Sequence, residues 1–276
     1  GTNDTRRAAD ELAALPALVT DAGTAHELGA GDLGDAPDAA DTAPGPLAAA
    51  LVPVPYYTRP SEDGVVAHFA HLARRSPVPL LVYHIPYRTG RPLSADTLRR
   101  LARLPGVVGV KLAVGGIDQA TVEFLADCAP AANRTEPAGP AGPADLSDPS
   151  DTAIPPGFAV LAGDDMFCAP LLALGAAGGI LASAHIATSV FADLATAWDR
   201  GETARACALG HALTGLSAAL FAEPNPVVIK AVLAAQGRIP SAAVRLPLLP
   251  ATPAAVDRAL AALTTTEHTA ATHVPA

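Results

Sequence analysis

Five short runs along this chain are apolar at almost every position: LAAALVPVPYY (47–57), VPLLVYHIP (78–86), GVVGVKLA (106–113), FAVLAGDD (158–165) and GGILASA (178–184). A strand with one wet face alternates apolar and polar residues. Continuous runs predict strands covered on both faces, as in a parallel sheet. Between and after the runs the apolar spacing turns helical, over residues 62–75, 94–104, 116–128, 167–175 and 188–200. LSADTLRRLARLPG carries full helical punctuation: Ser94 caps the first turn, Asp96 lies inside it and Pro-Gly ends it. Strand and helix in alternation mean βαβ units.

From residue 203 onward the pattern is helical only, over 203–222, 225–237 and 252–264. The expected division is therefore a βα-repeating body over 1–202 and a helical extension over 203–276. Two stretches have no period. Residues 20–46 are acidic and rich in Gly, Ala and Pro, and residues 129–156 are richer still in Pro. Both are expected to be disordered insertions, because neither can bury enough apolar area to offset the cost of ordering.

Composition narrows the function. Half of the 276 residues are hydrophobic, ample for a core, but aromatics make up 4%, too few for base-stacking surfaces. A formal net charge of −9 argues against nucleic acid and anionic membranes as partners. No apolar run approaches the roughly 18 residues of a membrane span, and no signal segment opens the chain. Cys128, Cys168 and Cys207 are odd in number and far apart. They read as reduced thiols of a cytoplasmic protein.

The candidate chemistry begins with a count. Of 18 Lys and Arg residues, only Lys111 and Lys230 are lysines. Lys230, in an apolar helix, reads as structural. Lys111 lies inside a strand, sharing a face with Gly109 and Ala113, while Val108, Val110 and Leu112 take the other. Those small neighbours are expected to leave room around the amine. A buried ammonium is costly, so the expected outcome is a lowered pKa and a neutral amine able to form an imine with a carbonyl. Arginine cannot do this. The alternative is a lysine that snorkels to solvent from a strand end, and the strand by itself leaves both open. One βα unit upstream, LVYHIPYRTG places Tyr83 in a strand and Arg88 in the turn after it. Each has a plain reading, a packed phenol and a loop cation; each also has a functional one, a proton shuttle and a carboxylate grip.

PYYTRPSEDG, YHIPYRTG, VVGVKLAVGG, LAGDD, LGAAGGILAS and FAEPNPVVIKAVLAAQG stand in an order and spacing that resemble the dihydrodipicolinate synthase / N-acetylneuraminate lyase family. The resemblance implies a (β/α)8 TIM barrel with a C-terminal helical extension. It implies class I aldolase chemistry, with an imine between Lys111 and pyruvate and with Tyr83 moving protons. Tyr57 resembles the tyrosine that reaches across a tight dimer into the neighbouring site. Arg88 resembles the arginine that holds the carboxylate of aspartate semialdehyde in the synthase branch. Gly163 and Ile180 match positions lining the pyruvate pocket. No cofactor and no metal are implied; Asp164 and Asp165 are expected to fix the loop after their strand. The partners expected are pyruvate, an aldehyde and further copies of the chain, as a dimer or tetramer.

Departures from the family pattern are specific. Leu112 and Val114 follow the lysine where polar residues are usual, His84 stands for asparagine, and Tyr87 for a small residue. Each is a candidate for reshaping the pocket. Arg7 falls where lysine-inhibited members carry a glutamate, so no feedback site is expected. The opening GTNDTRRAADEL resembles the stretch after the third barrel strand. The barrel is therefore expected to be incomplete, with strands four to eight present and the segment carrying the relay threonine absent. The leading expectation is 4-hydroxy-tetrahydrodipicolinate synthesis. The alternatives are a related 2-keto-acid aldolase or sugar-acid dehydratase, or an inactive fragment or paralogue acting as an assembly subunit.

Overall fold

A computed structural model describes residues 3–15, 47–128 and 153–273. The insertions expected at 20–46 and 129–156 lie outside the described residues, apart from 153–156. Contacts divide the chain into two compact units, Gly1–Val110 with Pro130–Ala159 and Lys111–Ala129 with Val160–Ala276.

In the first unit the elements run α1 (Thr5–Ala13), β1 (Ala50–Pro53), α2 (Glu62–Ala73), β2 (Leu80–His84), α3 (Ala95–Ala102) and the start of β3 (Val107–Leu112). Each helix begins at a side-chain cap. Asp4, Ser61 and Ser94 accept the N–H groups of Arg7, Gly64 and Thr97 at 2.8, 3.1 and 3.2 Å. β1 and β2 are parallel, in register from Ala50 opposite Leu80 to Pro53 opposite Tyr83. The order here is β1-β2-β3, with the Leu80 N–H donating to the Gly106 carbonyl at 2.8 Å. α2 packs on α1 and α3. The core combines Val52, Val54, Leu80 and Val82 with Phe69, Leu72, Leu98 and Leu101, all buried.

The strands are not covered equally on both faces, contrary to the sequence expectation. Along β2, Leu80, Val82 and His84 are buried, whereas Leu81 and Tyr83 are half-buried. Leu51, which pairs with Leu81, is 38% exposed, and Val108 in β3 is 39% exposed. Helices cover the face carrying residues 80 and 82; in a barrel the opposite face turns inward, towards the other strands.

In the second unit the rest of β3 is followed by α4 (Gln119–Cys128), β4 (Ala159–Ala162), α5 (Cys168–Ala173), β5 (Gly178–Gly179), α6 (Thr188–Asp199), α7 (Thr203–Leu220), α8 (Val227–Ala235) and α9 (Pro253–Thr272). The order is β3-β4-β5, with β4 and β5 parallel and Ala162 opposite Gly179. β5 is far shorter than the predicted 178–184 because the chain enters a tight 3-10 turn at Ser183–His185. Its pairing continues one residue further, where the Ile180 N–H donates to the Ala162 carbonyl at 2.9 Å.

α7 packs against α6 and α9, burying Leu194, Leu209, Leu213, Leu216, Ala259 and Leu263. α9 runs on to Thr272, past the expected end at 264. Thr264 and Thr265, at and just past that end, donate to carbonyls four residues back, those of Leu260 and Ala261. Thr266 is fully buried and reaches the Ala212 carbonyl of α7, so packing overrides propensity. None of the three cysteines is in a disulfide. Among the described residues no helix is long and apolar enough to cross a membrane.

Candidate active site

In the second unit Lys111 lies near the C-terminal end of β3 and is half-buried. Its stem runs over Gly163, the residue after β4. A β-carbon added at Gly163 would fall 2.9 Å from both Cγ and Cε of Lys111 and 2.7 Å from the Leu112 carbonyl oxygen. The Gly163 N–H donates to that same carbonyl at 2.7 Å. Glycine at 163 thus makes the space the lysine occupies. The expectation that Gly109 leaves room is corrected: a β-carbon there would lie 2.5 Å from the Ala159 carbonyl oxygen and 2.7 Å from Leu81. Gly109 admits close strand packing, and no void results.

Burial pulls the Lys111 pKa down, while the charges of Asp165 and then Asp164 act in the opposite sense. The net shift is downward, so more amine is neutral near pH 7 than for a lysine in water. Both carboxylates accept backbone N–H groups. Asp165, 5% exposed, takes the Ser183 N–H at 2.5 Å, and Asp164 takes the Gly115 N–H at 2.6 Å. Burial pushes the Asp164 carboxyl up, and the Asp165 charge adds to this against the opposing Gly115 hydrogen bond and Lys111 charge. Cys168, the other buried nucleophile here, is held as a thiol: burial, then Asp165, push its pKa up to about 12.

In the first unit Tyr83 is half-buried on β2, opposite Pro53. Arg88 is exposed in a single helical turn, Pro86–Thr89, closed by Gly90 in the left-handed conformation. Its guanidinium lies 5.6 Å from the ring centre of Tyr87, so the unusual tyrosine at 87 meets the candidate carboxylate-binding group directly. Tyr57 is 89% exposed at φ 67°, and Arg59 follows at φ 44°. Two bulky residues in left-handed backbone cost on the order of 1 kcal/mol each and need external support. That support is visible. A β-carbon at Gly90 would fall 2.7 Å from the Arg59 Nε, and Arg91 donates to the Arg59 carbonyl at 3.2 Å. The Tyr57 loop is thereby pinned to the turn that carries Arg88. His84 does not line the Tyr83 face; it is buried on the other one with Leu80 and Val82.

Of the six residues singled out from sequence, Lys111, Gly163 and Ile180 belong to the second unit and Tyr57, Tyr83 and Arg88 to the first. Lys111 touches Gly163. Ile180, 36% exposed, pairs with Ala162 just before that glycine. Sequence reasoning missed the backbone donors at Gly115 and Ser183 and the Arg59–Gly90 contact; only the Asp-Asp pair at the end of an apolar run hinted at the first two. Lys230, expected to be structural, donates from its ammonium to the Ala243 carbonyl. A cavity of about 270 Å³ between α1 and β1 is lined mainly by aliphatic residues, including Leu12, Leu47 and Leu51. It lacks the convergent polar groups of a reaction site.

Parallel strands that each lead into a helix, with a half-buried lysine at a strand end, define the class as a (β/α)8 barrel protein, of which five strands lie among the described residues. Comparison with known proteins narrows this. The model of the Dihydrodipicolinate synthetase family matches residues 26–131 and 148–266, and the chain belongs to that family. It is 35% identical over 218 residues to a 4-hydroxy-tetrahydrodipicolinate synthase of Thermosynechococcus vestitus, a match covering 79% of this chain and 64% of the relative. The 4-hydroxy-tetrahydrodipicolinate synthase structure from Methylacidiphilum fumariolicum SolV superposes with a TM-score of 0.66 at 29% identity, covering 81% of this chain and 65% of that one. The chloride-inhibited dihydrodipicolinate synthase of Acinetobacter baumannii, complexed with pyruvate, superposes with a TM-score of 0.68 at 27% identity, covering 97% and 73%. The chain thus spans less than two thirds of the length of the Thermosynechococcus relative.

Proposed function

We propose that this chain carries the imine-forming part of a Schiff-base lyase that condenses pyruvate with aspartate semialdehyde to 4-hydroxy-tetrahydrodipicolinate. The observation that carries the reading is the Lys111 amine, half-buried over Gly163 with its proton affinity lowered. In this reading the neutral amine adds to the keto carbon of pyruvate, a C–N bond forms, and the carbonyl oxygen leaves as water. The imine then gives up a proton from the adjacent methyl carbon. The resulting enamine carbon attacks the aldehyde, forming the C–C bond, and the new alkoxide takes a proton; the amino group from aspartate semialdehyde then adds to the imine carbon, closing the ring as the C–N bond to Lys111 breaks and the free amine returns. Tyr83 is the candidate for these proton transfers. Gly163 and Ile180 line the keto-acid end. Arg88 grips the aldehyde's carboxylate bidentately, and Tyr57, exposed and held in strained backbone, reaches a second copy of the chain.

We further read the protein as a cytoplasmic homo-oligomer, dimer or tetramer, with residues 203–276 as a C-terminal helical extension. A second reading is an assembly subunit without lyase chemistry. Borohydride reduction in the presence of pyruvate separates the two. An active lyase gives a covalent adduct on Lys111, and a subunit without chemistry gives none. If the substrate assignment holds, Arg88→Ala weakens use of aspartate semialdehyde while leaving the pyruvate adduct in place; unchanged use of the aldehyde would sink it.

A further inference from the structure

We propose that Asp164 and Asp165 are positioning residues for the reaction of Lys111, tying the loops that follow the two neighbouring strands to the end of β4. The inference deepens the reading above and rests on Lys111 being the imine-forming residue. Its geometry is independent of that reading. Asp164 is extended and Asp165 opens a 3-10 turn, Asp165–Phe167, and the two carboxylates reach different loops. Asp164 reaches the loop after β3 and accepts the Gly115 N–H at 2.6 Å; Asp165 reaches the turn after β5 and accepts the Ser183 N–H at 2.5 Å. The flanking strands are already tied in the same order, Gly163 N–H to the Leu112 carbonyl and Ile180 N–H to the Ala162 carbonyl. The two carboxylates extend that ladder beyond the last strand residues, where backbone alone no longer pairs.

Burial makes the Asp165–Ser183 tie matter most; the Asp164–Gly115 tie is exposed. Ser183 is fully buried and Asp165 is 5% exposed, so water cannot replace either partner cheaply. The dipeptide is itself anchored from behind. The Phe167 N–H donates to the Asp164 carbonyl at 3.0 Å, closing the turn, and Thr214 of α7 donates to the Met166 carbonyl at 3.3 Å. Gly163, which the Lys111 stem crosses, directly precedes the pair. Moving either loop therefore moves the floor beneath the reactive amine. The charges acting on Lys111 within this unit are those of Asp165 and Asp164; Cys168, beside them, stays a neutral thiol.

The test compares isosteric and truncating variants of the full chain, reading borohydride trapping of pyruvate on Lys111 by mass spectrometry across pH. Asp164→Asn and Asp165→Asn retain an oxygen that accepts the same N–H but lose the charge. Trapping should persist, with its half-maximal point moved to lower pH, because removing the anion releases the amine's proton more easily. Asp164→Ala and Asp165→Ala lose the tie as well; trapping should slow on the order of tenfold per folded molecule, with Gly115 and Ser183 amides exchanging faster with solvent. Wild-type trapping with unchanged pH profile and rate in all four variants would overturn the inference alone. Absence of trapping in the wild-type chain would overturn the reading of Lys111 and the inference with it.

Discussion

Gly163→Ala is the most demanding prediction because a single methyl group meets two different obstacles. The new β-carbon would lie 2.7 Å from the Leu112 carbonyl oxygen and 2.9 Å from Cγ and Cε of Lys111, where ordinary contact begins at 3.4 Å. The carbonyl cannot retreat freely, since it accepts the Gly163 N–H at 2.7 Å. The lysine stem can retreat, but only by carrying its amine some half an ångström from its place. Overpacking of this size costs about 1–3 kcal/mol of stability. A misplacement of about 1 Å can cost roughly a hundredfold in rate, so half of that corresponds to about tenfold. Two assays are needed. Urea denaturation gives the stability loss, and borohydride trapping of pyruvate at Lys111, normalised to folded protein, gives the rate. Gly116→Ala is the control, since a β-carbon there meets nothing within 4 Å. If Gly163→Ala traps pyruvate as fast as wild type, Lys111 does not depend on the space above that glycine and the site is wrongly built.

Three further outcomes follow from the packing. His68, 4% exposed with its Nδ1 2.8 Å from the Thr5 hydroxyl, is buried as a neutral ring, its pKa pulled from 6.5 to about 4 by burial and then by His71. Stability is then complete above pH 6.5 and falls as pH drops towards 4, by roughly 3 kcal/mol at about 1.4 kcal/mol per pH unit; urea midpoints should show that slope, and an identical slope in His68→Gln would refute it. Glu62 accepts from the Ser94 hydroxyl at 2.6 Å and from the Thr97 hydroxyl, joining α2 to α3. Burial raises its pKa, but these bonds and Arg91 outweigh that and hold it below 4.5, so Glu62→Ala should cost about 1 kcal/mol at pH 7, a loss that vanishes as pH falls below that range. Gly215, exposed inside α7 with nothing within 4 Å of a β-carbon, should gain about 0.5–1 kcal/mol as alanine, read as a higher melting temperature.

What could be read from the sequence was what is local. Ser94 and Asp96 announce a helix because a cap acts within one turn, and the helix starts at Ala95 as read. The apolar runs found all five strands among the described residues because each strand is apolar at nearly every position, even where one face is partly exposed. Lys111 stood out because an amine in such a run has few inexpensive explanations. Gly109 was misread because sequence shows that a residue is small and not what fills the space; here a neighbouring carbonyl does. The Asp-Asp pair hinted at a loop tie, but its partners Gly115 and Ser183 could not be read. The links join positions 49 and 18 residues apart through backbone N–H groups, which every residue but proline possesses. α9 outran its expected end because burial of Thr266 against α7 is a tertiary fact.

The central claim is that one of two lysines is a nucleophile and the other is not. The direct measurement is peptide mapping after borohydride reduction with pyruvate at pH 7. The account predicts one reduced adduct per chain, on Lys111, with Lys230 unmodified because its ammonium is engaged by the Ala243 carbonyl. Equal labelling of both lysines, or labelling of Lys230 alone, would contradict it.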